Sequence, residues 1–238
     1  MFVEISHISK YFAGRFVLSD ISLNVARYET VSILGKSGCG KSTLLKIIAG
    51  IEKPDEGSIL INGSNISNQY PHERNIVYLF QEALLFPNLN VFENIAFGLR
   101  IKKIEKTIIN QKVSLMIEHL GLTDHSKKMP HQLSGGQKQR VSFGRALIIN
   151  PPLILLDEPF SNLDTETRGQ MQDLYKKVAM DFHITALFVT HDIKEALLMG
   201  DRMTYLQDGK LKIYNSKQDF INDEITGAKK EISFWNNI

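Results

Sequence analysis

A glycine-rich run between a strand pattern and a helix pattern constrains this chain more than any other feature of its sequence. The run is GKSGCGKST, at residues 35–43, and it matches the phosphate-binding pattern GxxxxGK[ST]. A β-branched stretch at residues 30–34 precedes it, and an apolar stretch at residues 44–49, typical of a helix, follows it. We expect every member of the run to line a nucleotide site: Gly35, Lys36, Ser37, Gly38, Cys39, Gly40, Lys41, Ser42 and Thr43.

The residue types in this run explain how it would bind phosphate. Glycine can adopt backbone conformations closed to other residues, so consecutive N–H groups can point at phosphate oxygens. A helix that starts near Lys41 adds its positive end. Lys41 would reach the β- and γ-phosphates, and the hydroxyl of Ser42 would ligate Mg²⁺. A glycine-rich turn with a chance lysine would have to match both the pattern and its context by accident, so the sequence predicts a nucleoside triphosphate site.

The bulk composition is that of an ordinary globular protein. Of the 238 residues, 43% are hydrophobic and 23% are charged, and the net charge of +2 gives no electrostatic footprint for nucleic acid. No apolar run approaches the ~18 residues of a membrane-spanning helix, and Met1 leads into a strand-like segment rather than a signal peptide. The single cysteine, Cys39, cannot form an internal disulfide. We therefore expect an intracellular protein with one large domain, or a core domain with an inserted subdomain.

Two adjacent aromatic residues near the N-terminus are candidates for contact with a base. Residues 2–25 alternate in the manner of antiparallel strands, and Tyr11 and Phe12 stand before a turn at Gly14. An aromatic ring there could stack on an adenine face, but a ring packed in the sheet explains the pattern equally well. Of the two, Phe12 is favoured for stacking and Tyr11 is second.

Polar side chains follow two buried strands of the predicted sheet. The apolar residues 153–156 lead into Asp157 and Glu158, and residues 186–190 lead into His191. In a chain with a phosphate loop, Asp157 would hold Mg²⁺ through water and Glu158 would orient and deprotonate the attacking water. Loop acids after a strand are the alternative. His191 is expected to contact a γ-phosphate, although a lone histidine is usually structural.

Gln81 and a helical stretch come between these motifs and the phosphate loop. Gln81 follows the strand-like residues 75–80, where open α/β sheets bind ligands, although a glutamine there is more often a loop hydrogen bonder. Residues 88–131 have a helical texture, which indicates a helical insertion within the α/β core.

The segment LSGGQ, at residues 133–137, is the second unusual feature. A serine followed by two glycines and an apolar pattern predicts a capped helix start, and bare N–H groups there can accept an anion. An ordinary helix cap accounts for the pattern by itself. Two phosphate-seeking helix ends in one chain nevertheless suggest a site shared between two chains.

Taken together, these motifs resemble the ATP-binding cassette (ABC) ATPases over about residues 2–220. GKSGCGKST resembles the Walker A motif, LILLDEP (residues 153–159) the Walker B motif, and LSGGQ the family signature. Gln81 falls at the Q-loop, residues 161–164 at the D-loop with Asn162 in place of the usual alanine, and His191 at the switch histidine. Phe12 falls where the family's adenine-stacking aromatic lies.

The resemblance implies a fold and its boundaries. The fold is α/β, a P-loop NTPase with an antiparallel β subdomain and an inserted α-helical subdomain. The ATPase domain would span residues 1–225, with the helical insertion at about residues 88–135, and residues 226–238 would form a short tail. Phe234 and Trp235 in that tail are expected to pack on the domain.

The resemblance also implies the chemistry and the sharing of the site. Two cassettes would face head to tail, each binding ATP and Mg²⁺ between the Walker A motif of one and the signature of the other. This adds partner-facing nucleotide contacts at Ser134, Gly135, Gly136, Gln137 and Asp164. The implied catalytic residues are Glu158, His191, Lys41 and Gln81, and the implied metal ligands are Ser42, Gln81 and Asp157.

Within the family, residues 79–99 and 189–197 look like those of bacterial solute importers for iron, polyamines, sulfate, molybdate or thiamine. The implied partners are a second ATPase subunit, separate membrane permease subunits and a solute-binding protein, with the chain peripheral on the inner face of the cell membrane. Two alternatives remain. An exporter or lipoprotein-release ATPase fits residues 79–99 less well, and ATPases that act on nucleic acid or ribosomes usually carry basic or coiled-coil insertions.

Overall fold

A computed structural model describes the backbone of residues 1–236 and the side chains of residues 1–234, so the expectation for Trp235 lies outside the described side chains. The strands in chain order are β1 (Val3–Phe12), β2 (Arg15–Val25), β3 (Thr30–Leu34), β4 (Glu56–Ile61), β5 (Ser64–Asn65), β6 (Ile76–Leu79), β7 (Leu153–Asp157), β8 (Ala186–Thr190), β9 (Arg202–Gln207) and β10 (Lys210–Ile213). The α-helices are α1 (Lys41–Ala49), α2 (Val91–Ile101), α3 (Lys106–His119), α4 (Gly135–Leu147), α5 (Thr165–Asp181), α6 (Ile193–Met199), α7 (Lys217–Asn222) and α8 (Ala228–Asn236).

The chain forms two compact units. The first comprises Met1–Ile76, Leu155–Glu158 and Ile184–Ile238, and the second comprises Val77–Ile154 and Pro159–His183. The predicted boundaries of the helical insertion, at about residues 88–135, remain a prediction, because the second unit is defined by compactness and extends further at both ends.

An antiparallel sheet of order β2-β1-β4-β5 forms one layer of the first unit. Strand β1 pairs antiparallel with both β2 and β4, and its pairing with β2 shifts register between Ile5 and Ile8. Both isoleucines are buried, as are Ile21 and Leu23 of β2. The antiparallel strands predicted for residues 2–25 are confirmed.

Four strands of a second sheet also lie in the first unit, in the order β10-β9-β3-β8, and the last three residues of β7 follow β8 there. Strand β3 is parallel to its neighbours β8 and β9, and every residue of β3 and β8 is buried, as expected for the interior of a parallel sheet. The phosphate loop follows β3 and His191 follows β8, so these parallel strands carry both to the same sheet edge.

The far end of helix α1 is capped by a buried arginine. Gly50 ends the helix in the left-handed conformation, with φ of 78°. The Arg74 guanidinium donates from Nη1 to the carbonyl oxygens of Ile47 and Ile48, at 2.9 Å each. These bonds satisfy carbonyls that the end of a helix leaves without partners, so they fix the helix that begins at the phosphate loop.

The C-terminal part of the first unit folds back on the core. Asp208 and Gly209 both have positive φ and join β9 to β10 in a hairpin, as is typical of an Asp-Gly pair. Phe220 is fully buried, and Ala228 begins helix α8 in the same apolar cluster as Leu34. Phe234 is 64% exposed, and the buried contact with the core lies at Ala228, the first residue of α8.

The second unit is built mainly from helices α2, α3, α4 and α5. One face of α3 is apolar and buried, since Val113, Met116 and Ile117 are all buried, as is Leu120 directly after the helix. Helix α2 begins at a full capping box formed by Asn90. Within the described residues, none of the helices of either unit combines the length and apolar character needed to cross a membrane.

Candidate active site

The loop between β3 and α1 has the geometry that its glycines predict. Gly38 and Gly40 have φ of 79° and 107°, in the left-handed region where other residues are strained. A Cβ at Gly35 would lie 2.4 Å from the carbonyl oxygen of Leu206, and one at Gly40 would lie 2.9 Å from that of Val17. The loop therefore packs its backbone against β2 and β9 and leaves room for glycine only at these two positions.

Lys41 directs its ammonium group into this loop. Its side chain is buried, and Nζ donates to the carbonyl oxygens of Gly35 (2.7 Å) and Lys36 (3.1 Å). The same nitrogen lies 3.7 Å from Oε1 of Glu158. A buried ammonium needs such partners because its desolvation is otherwise costly, and here they fix it where an incoming anion would bind.

Ser42 and Asp157 bring two oxygen ligands together at the start of α1. The Ser42 hydroxyl donates to Oδ1 of Asp157 at 2.9 Å. Hydroxyl and carboxylate oxygens suit Mg²⁺, which usually takes one or two protein oxygens and completes its shell with water and substrate phosphates. In the described part of the chain no group of three or more His, Cys, Asp or Glu residues could hold a metal ion.

Glu158 is held in an unusual backbone conformation. Its φ is +47°, in the left-handed region, and Pro159 after it disfavours the right-handed helical region. The Glu158 N–H donates to the carbonyl oxygen of Val189 at 3.0 Å, which ties the residue to β8. A strained conformation persists only where its surroundings enforce it, and here it turns the carboxylate toward Lys41 and His191.

His191 contacts the carboxylate of Glu158 directly. Nδ1 lies 2.8 Å from Oε2 of Glu158, and the two side chains are 52% and 20% exposed, respectively. Beside it, the Thr190 hydroxyl donates to the buried Glu195 carboxylate at 2.6 Å, and Asp192 caps α6 by accepting from the Glu195 N–H. The residues directly before and after His191 are thus both held by hydrogen bonds, which fixes the backbone that carries the histidine.

Cys39 lies within the phosphate loop and is partly buried. Burial raises the pKa of its thiol, while the neighbouring ammonium of Lys41 acts in the opposite direction. Its N–H donates to the carbonyl oxygen of Lys36 at 3.3 Å. The thiol is therefore mostly protonated at neutral pH.

The two candidate base-stacking residues end strand β1 in different surroundings. The Tyr11 ring packs against Phe16, with ring centroids 4.0 Å apart. Phe12 is 45% exposed, and the ammonium of Lys10 lies 5.1 Å from its ring centroid. This arrangement favours Phe12 over Tyr11 as the ring available to a base. The contact of Lys10 with the Phe12 ring is one that no pattern in the sequence indicates.

The signature segment, in the second unit, opens helix α4 with a complete capping box. Ser134 Oγ accepts from the Gln137 N–H at 3.3 Å, and Gln137 Oε1 accepts from the Ser134 N–H at 3.1 Å. A Cβ at Gly136 would lie 2.4 Å from Cγ2 of Thr167, whereas one at Gly135 would meet no heavy atom of the described residues within 4 Å. The predicted capped helix start is confirmed, and of these two glycines Gly136 is the one that packing requires.

Asp164 and Gln81 also lie in the second unit and make local bonds there. Asp164 caps α5 by accepting from the Thr167 N–H at 3.0 Å, and this bond lowers the pKa of the Asp164 carboxyl. Gln81 Nε2 donates to Oδ1 of Asn162 at 3.3 Å. The side-chain amide of Gln81 thus bonds to Asn162, the residue that stands in place of the usual D-loop alanine.

Arg145, in the second unit, makes contacts with residues that lie far from it along the chain. Its guanidinium donates to the carbonyl oxygen of Leu84 and lies 5.0 Å from the ring centroid of Phe86. Burial lowers its pKa, and the cation–π contact partly compensates for that burial. The contact partners are 59 and more residues away along the chain, so no local pattern could have indicated it.

In the first unit the structure thus brings together the phosphate loop, the Ser42–Asp157 pair and the Glu158–His191 pair. This is the site of a P-loop nucleotide-binding protein. The sequence profile of the ABC transporter family matches residues 18–161, which is more than half of the chain. The chain therefore belongs to the ABC transporter family, and both the resemblance and the fold class stated above are confirmed.

Similar proteins agree with this assignment. The spermidine/putrescine import ATP-binding protein PotA of Bacteroides thetaiotaomicron is 43% identical over 99% of this chain and 51% of its own length. PotA of Acetivibrio thermocellus is 42% identical over 99% of this chain and 67% of its own length. The chain thus spans about half the length of the first of these relatives. Among solved structures, the ATP-binding cassette MJ0796 matches this chain with a TM-score of 0.78 and 34% sequence identity. The match covers 90% of this chain and 99% of that chain. The MJ0796 structure is a dimer in a post-hydrolysis state, bound to ADP and Pi.

Proposed function

We propose that this chain is the ATP-hydrolysing subunit of an ABC transporter that imports a small solute. The observation that carries the proposal is the convergence of the buried ammonium of Lys41, the Ser42–Asp157 oxygen pair and the Glu158–His191 pair beside one glycine loop. Together these groups provide anion binding, cation binding and a general base, which are the parts that hydrolysis of a phosphoanhydride needs.

Binding of the triphosphate falls to the loop. The backbone N–H groups of residues 35–43 would donate to the β- and γ-phosphate oxygens, and Lys41 would exchange its bonds to loop carbonyls for bonds to phosphate. Phe12 would stack on the adenine. The remaining loop residues, Ser37, Cys39 and Thr43 among them, would contact the nucleotide through their backbone.

Hydrolysis falls to Glu158, assisted by His191. Oε1 of Glu158 would accept a proton from the attacking water, and His191, bonded to Oε2, would hold the carboxylate in place. Nζ of Lys41 lies 3.7 Å from Oε1 of Glu158, so the ammonium that would bind phosphate also faces the proposed base.

Mg²⁺ would be held by Ser42 and Asp157, and when bound it would neutralise charge that develops on the phosphates. The 2.9 Å separation of the Ser42 hydroxyl and the Asp157 carboxylate supports this assignment. The role of Gln81 as a further ligand rests on the resemblance to the family alone.

A second copy of the chain would complete the site. The segment Ser134, Gly135, Gly136 and Gln137 of one copy, with Asp164, would contact the γ-phosphate bound by the other. The open space around Gly135 supports this, because packing among the described residues gives no reason for glycine there. The dimeric state of the solved relative MJ0796 supports it as well.

Transport would require permease subunits in the membrane and a solute-binding protein, with this chain on the inner face of the cell membrane. The PotA relatives are named as spermidine/putrescine import proteins, which supports import and makes a polyamine the first solute to test. No part of this role calls for nucleic acid.

The ATPase domain would span residues 1–225, with the helical insertion at about residues 88–135.

Two experiments test the proposal separately. Phosphate release by the purified chain with MgATP should be abolished in Glu158→Gln and retained in the distant variant Lys210→Gln, whereas wild-type turnover in Glu158→Gln would overturn the catalytic assignment. Purification of the tagged chain from its native membrane should bring down a permease and a solute-binding protein. Recovery of ribosomes or DNA instead would contradict transport while leaving the hydrolytic chemistry intact.

A further inference from the structure

Lys10 is a nearly buried charge at the edge of the antiparallel sheet. The residue is 8% exposed, and its Nζ donates to the carbonyl oxygen of Lys53 at 2.7 Å. The same nitrogen lies 2.9 Å from Oε1 of Glu52 and 3.4 Å from Oδ1 of Asp55. Three oxygen partners compensate the ammonium for its loss of water and fix its position.

The ammonium held in this way also contacts the ring of Phe12. Nζ lies 5.1 Å from the ring centroid, within the range of a cation–π contact, while 45% of Phe12 stays exposed. One side of the ring is therefore supported by the protein, and the residue still offers surface to a ligand.

Asp55 fixes the backbone that carries this ring. Its Oδ2 accepts from the Tyr11 N–H at 2.6 Å, and its own N–H donates to the carbonyl oxygen of Ser9 at 3.0 Å. One carboxylate thus bonds both to the lysine under the ring and to the peptide that precedes Phe12. Because Tyr11 packs on Phe16, the ring of Phe12 is the one that this cluster positions.

We propose that Lys10 is a positioning residue for base recognition, whose ammonium holds the Phe12 ring in the orientation that receives the face of the adenine. The inference rests on the proposed stacking role of Phe12. An exposed phenylalanine samples several rotamers, and a ring ordered before binding loses less entropy when the base stacks on it. The hydrogen bond to Glu52 raises the pKa of Lys10 against the opposing effect of burial, so the group stays charged through the neutral range.

The experiment compares a ligand that has the base with one that lacks it. Dissociation constants for ATP and for inorganic tripolyphosphate would be measured by calorimetry on the full chain and on Lys10→Met, Lys10→Arg and Phe12→Ala. In Lys10→Met we expect ATP affinity to fall about three- to tenfold with tripolyphosphate affinity unchanged. In steady-state assays the KM for ATP should rise with kcat unchanged. Lys10→Arg should restore the wild-type ratio, because a guanidinium also stacks on an aromatic face.

Glu52→Gln serves as a control for the purely structural role of the cluster. It removes one carboxylate from Lys10 but leaves the lysine and its other two partners, so the melting temperature should fall while the ratio of the two affinities stays the same. A Lys10→Met variant that weakens ATP and tripolyphosphate equally would identify the lysine as a structural anchor and overturn the inference.

Phe12→Ala separates failure of this inference from failure of the proposed function. If Phe12→Ala lowers ATP affinity selectively and Lys10→Met does not, the positioning role is wrong and the stacking role stands. If neither variant changes the ratio, Phe12 does not bind the base, and the role of Lys10 is refuted with it.

Discussion

Replacement of Gly135 by alanine tests whether the start of helix α4 receives a ligand from outside its own chain. A Cβ at this position meets no heavy atom within 4 Å among the described residues, so the substitution creates no clash in the isolated chain. Alanine is favoured over glycine by about 1 kcal/mol in a helix interior and by less at the first position. We therefore expect the free energy of unfolding to stay the same or to rise by up to about 0.5 kcal/mol.

The rate of ATP hydrolysis by Gly135→Ala should fall, although the stability does not. In the proposed dimer the new methyl group would occupy the space through which the γ-phosphate on the other copy approaches the N–H groups of α4. Phosphate release at saturating MgATP should fall about tenfold or more, as it does when an oxyanion contact is lost. The assay pairs this rate with the melting temperature of the same sample. A Gly135→Ala protein with wild-type turnover would refute the shared site.

Gly136→Ala is the matched control, one residue further on. Its Cβ would lie 2.4 Å from Cγ2 of Thr167, more than 1 Å inside ordinary carbon–carbon contact. Overpacking of this kind costs about 1–3 kcal/mol, and each kcal/mol lowers the melting temperature of a chain of this size by about 2–4 °C. Gly136→Ala should therefore lose stability as well as activity, and an unchanged melting temperature would contradict the packing argument.

Three further predictions concern separate groups. Ser42→Ala removes the hydroxyl that bonds to Asp157, so the Mg²⁺ concentration for half-maximal hydrolysis should rise, whereas Ser42→Thr should keep it; equal Mg²⁺ dependence in both would refute the ligand assignment. The bonds from Lys212 and Tyr214 lower the pKa of Asp223 to about 2, below its value in an unfolded chain. Its stabilising effect is therefore complete above about pH 4 and is lost as the pH falls toward 2, so urea denaturation should show wild type and Asp223→Asn converging over that interval. Because burial raises the pKa of Cys39, alkylation should be slow at pH 7 and should accelerate with rising pH, and bound ATP should protect the thiol; alkylation that ATP does not slow would place Cys39 outside the nucleotide site.

Much of the fold follows from local patterns in the sequence. The phosphate loop, the Asp-Gly hairpin, the capped start of α4 and the amphipathic face of α3 each depend on residues close together in the chain. Periodicity, capping and turn chemistry act over such distances, so the residues themselves indicate the structure. The strand ends that carry Asp157 and His191 were predicted in the same way.

Other features depend on contacts that no local pattern encodes. The left-handed conformation of Glu158 is enforced by its bond to Val189, more than 30 residues away. The different surroundings of Gly135 and Gly136 are set by Thr167 on another helix, and the ammonium under Phe12 depends on residues beyond position 50. These arrangements arise only when separate elements pack, and they decide how the candidate site would work.

The most direct test of the account is the size of the Glu158→Gln protein in solution with MgATP. In the proposed mechanism ATP joins two copies of the chain, and Glu158 is needed to hydrolyse the ATP that holds them together. Size exclusion with light scattering should therefore give a 27.0 kDa species without nucleotide and twice that mass with MgATP, while Lys41→Ala in the same background should remain at the smaller mass. A Glu158→Gln protein that binds ATP yet stays at 27.0 kDa would contradict the shared site.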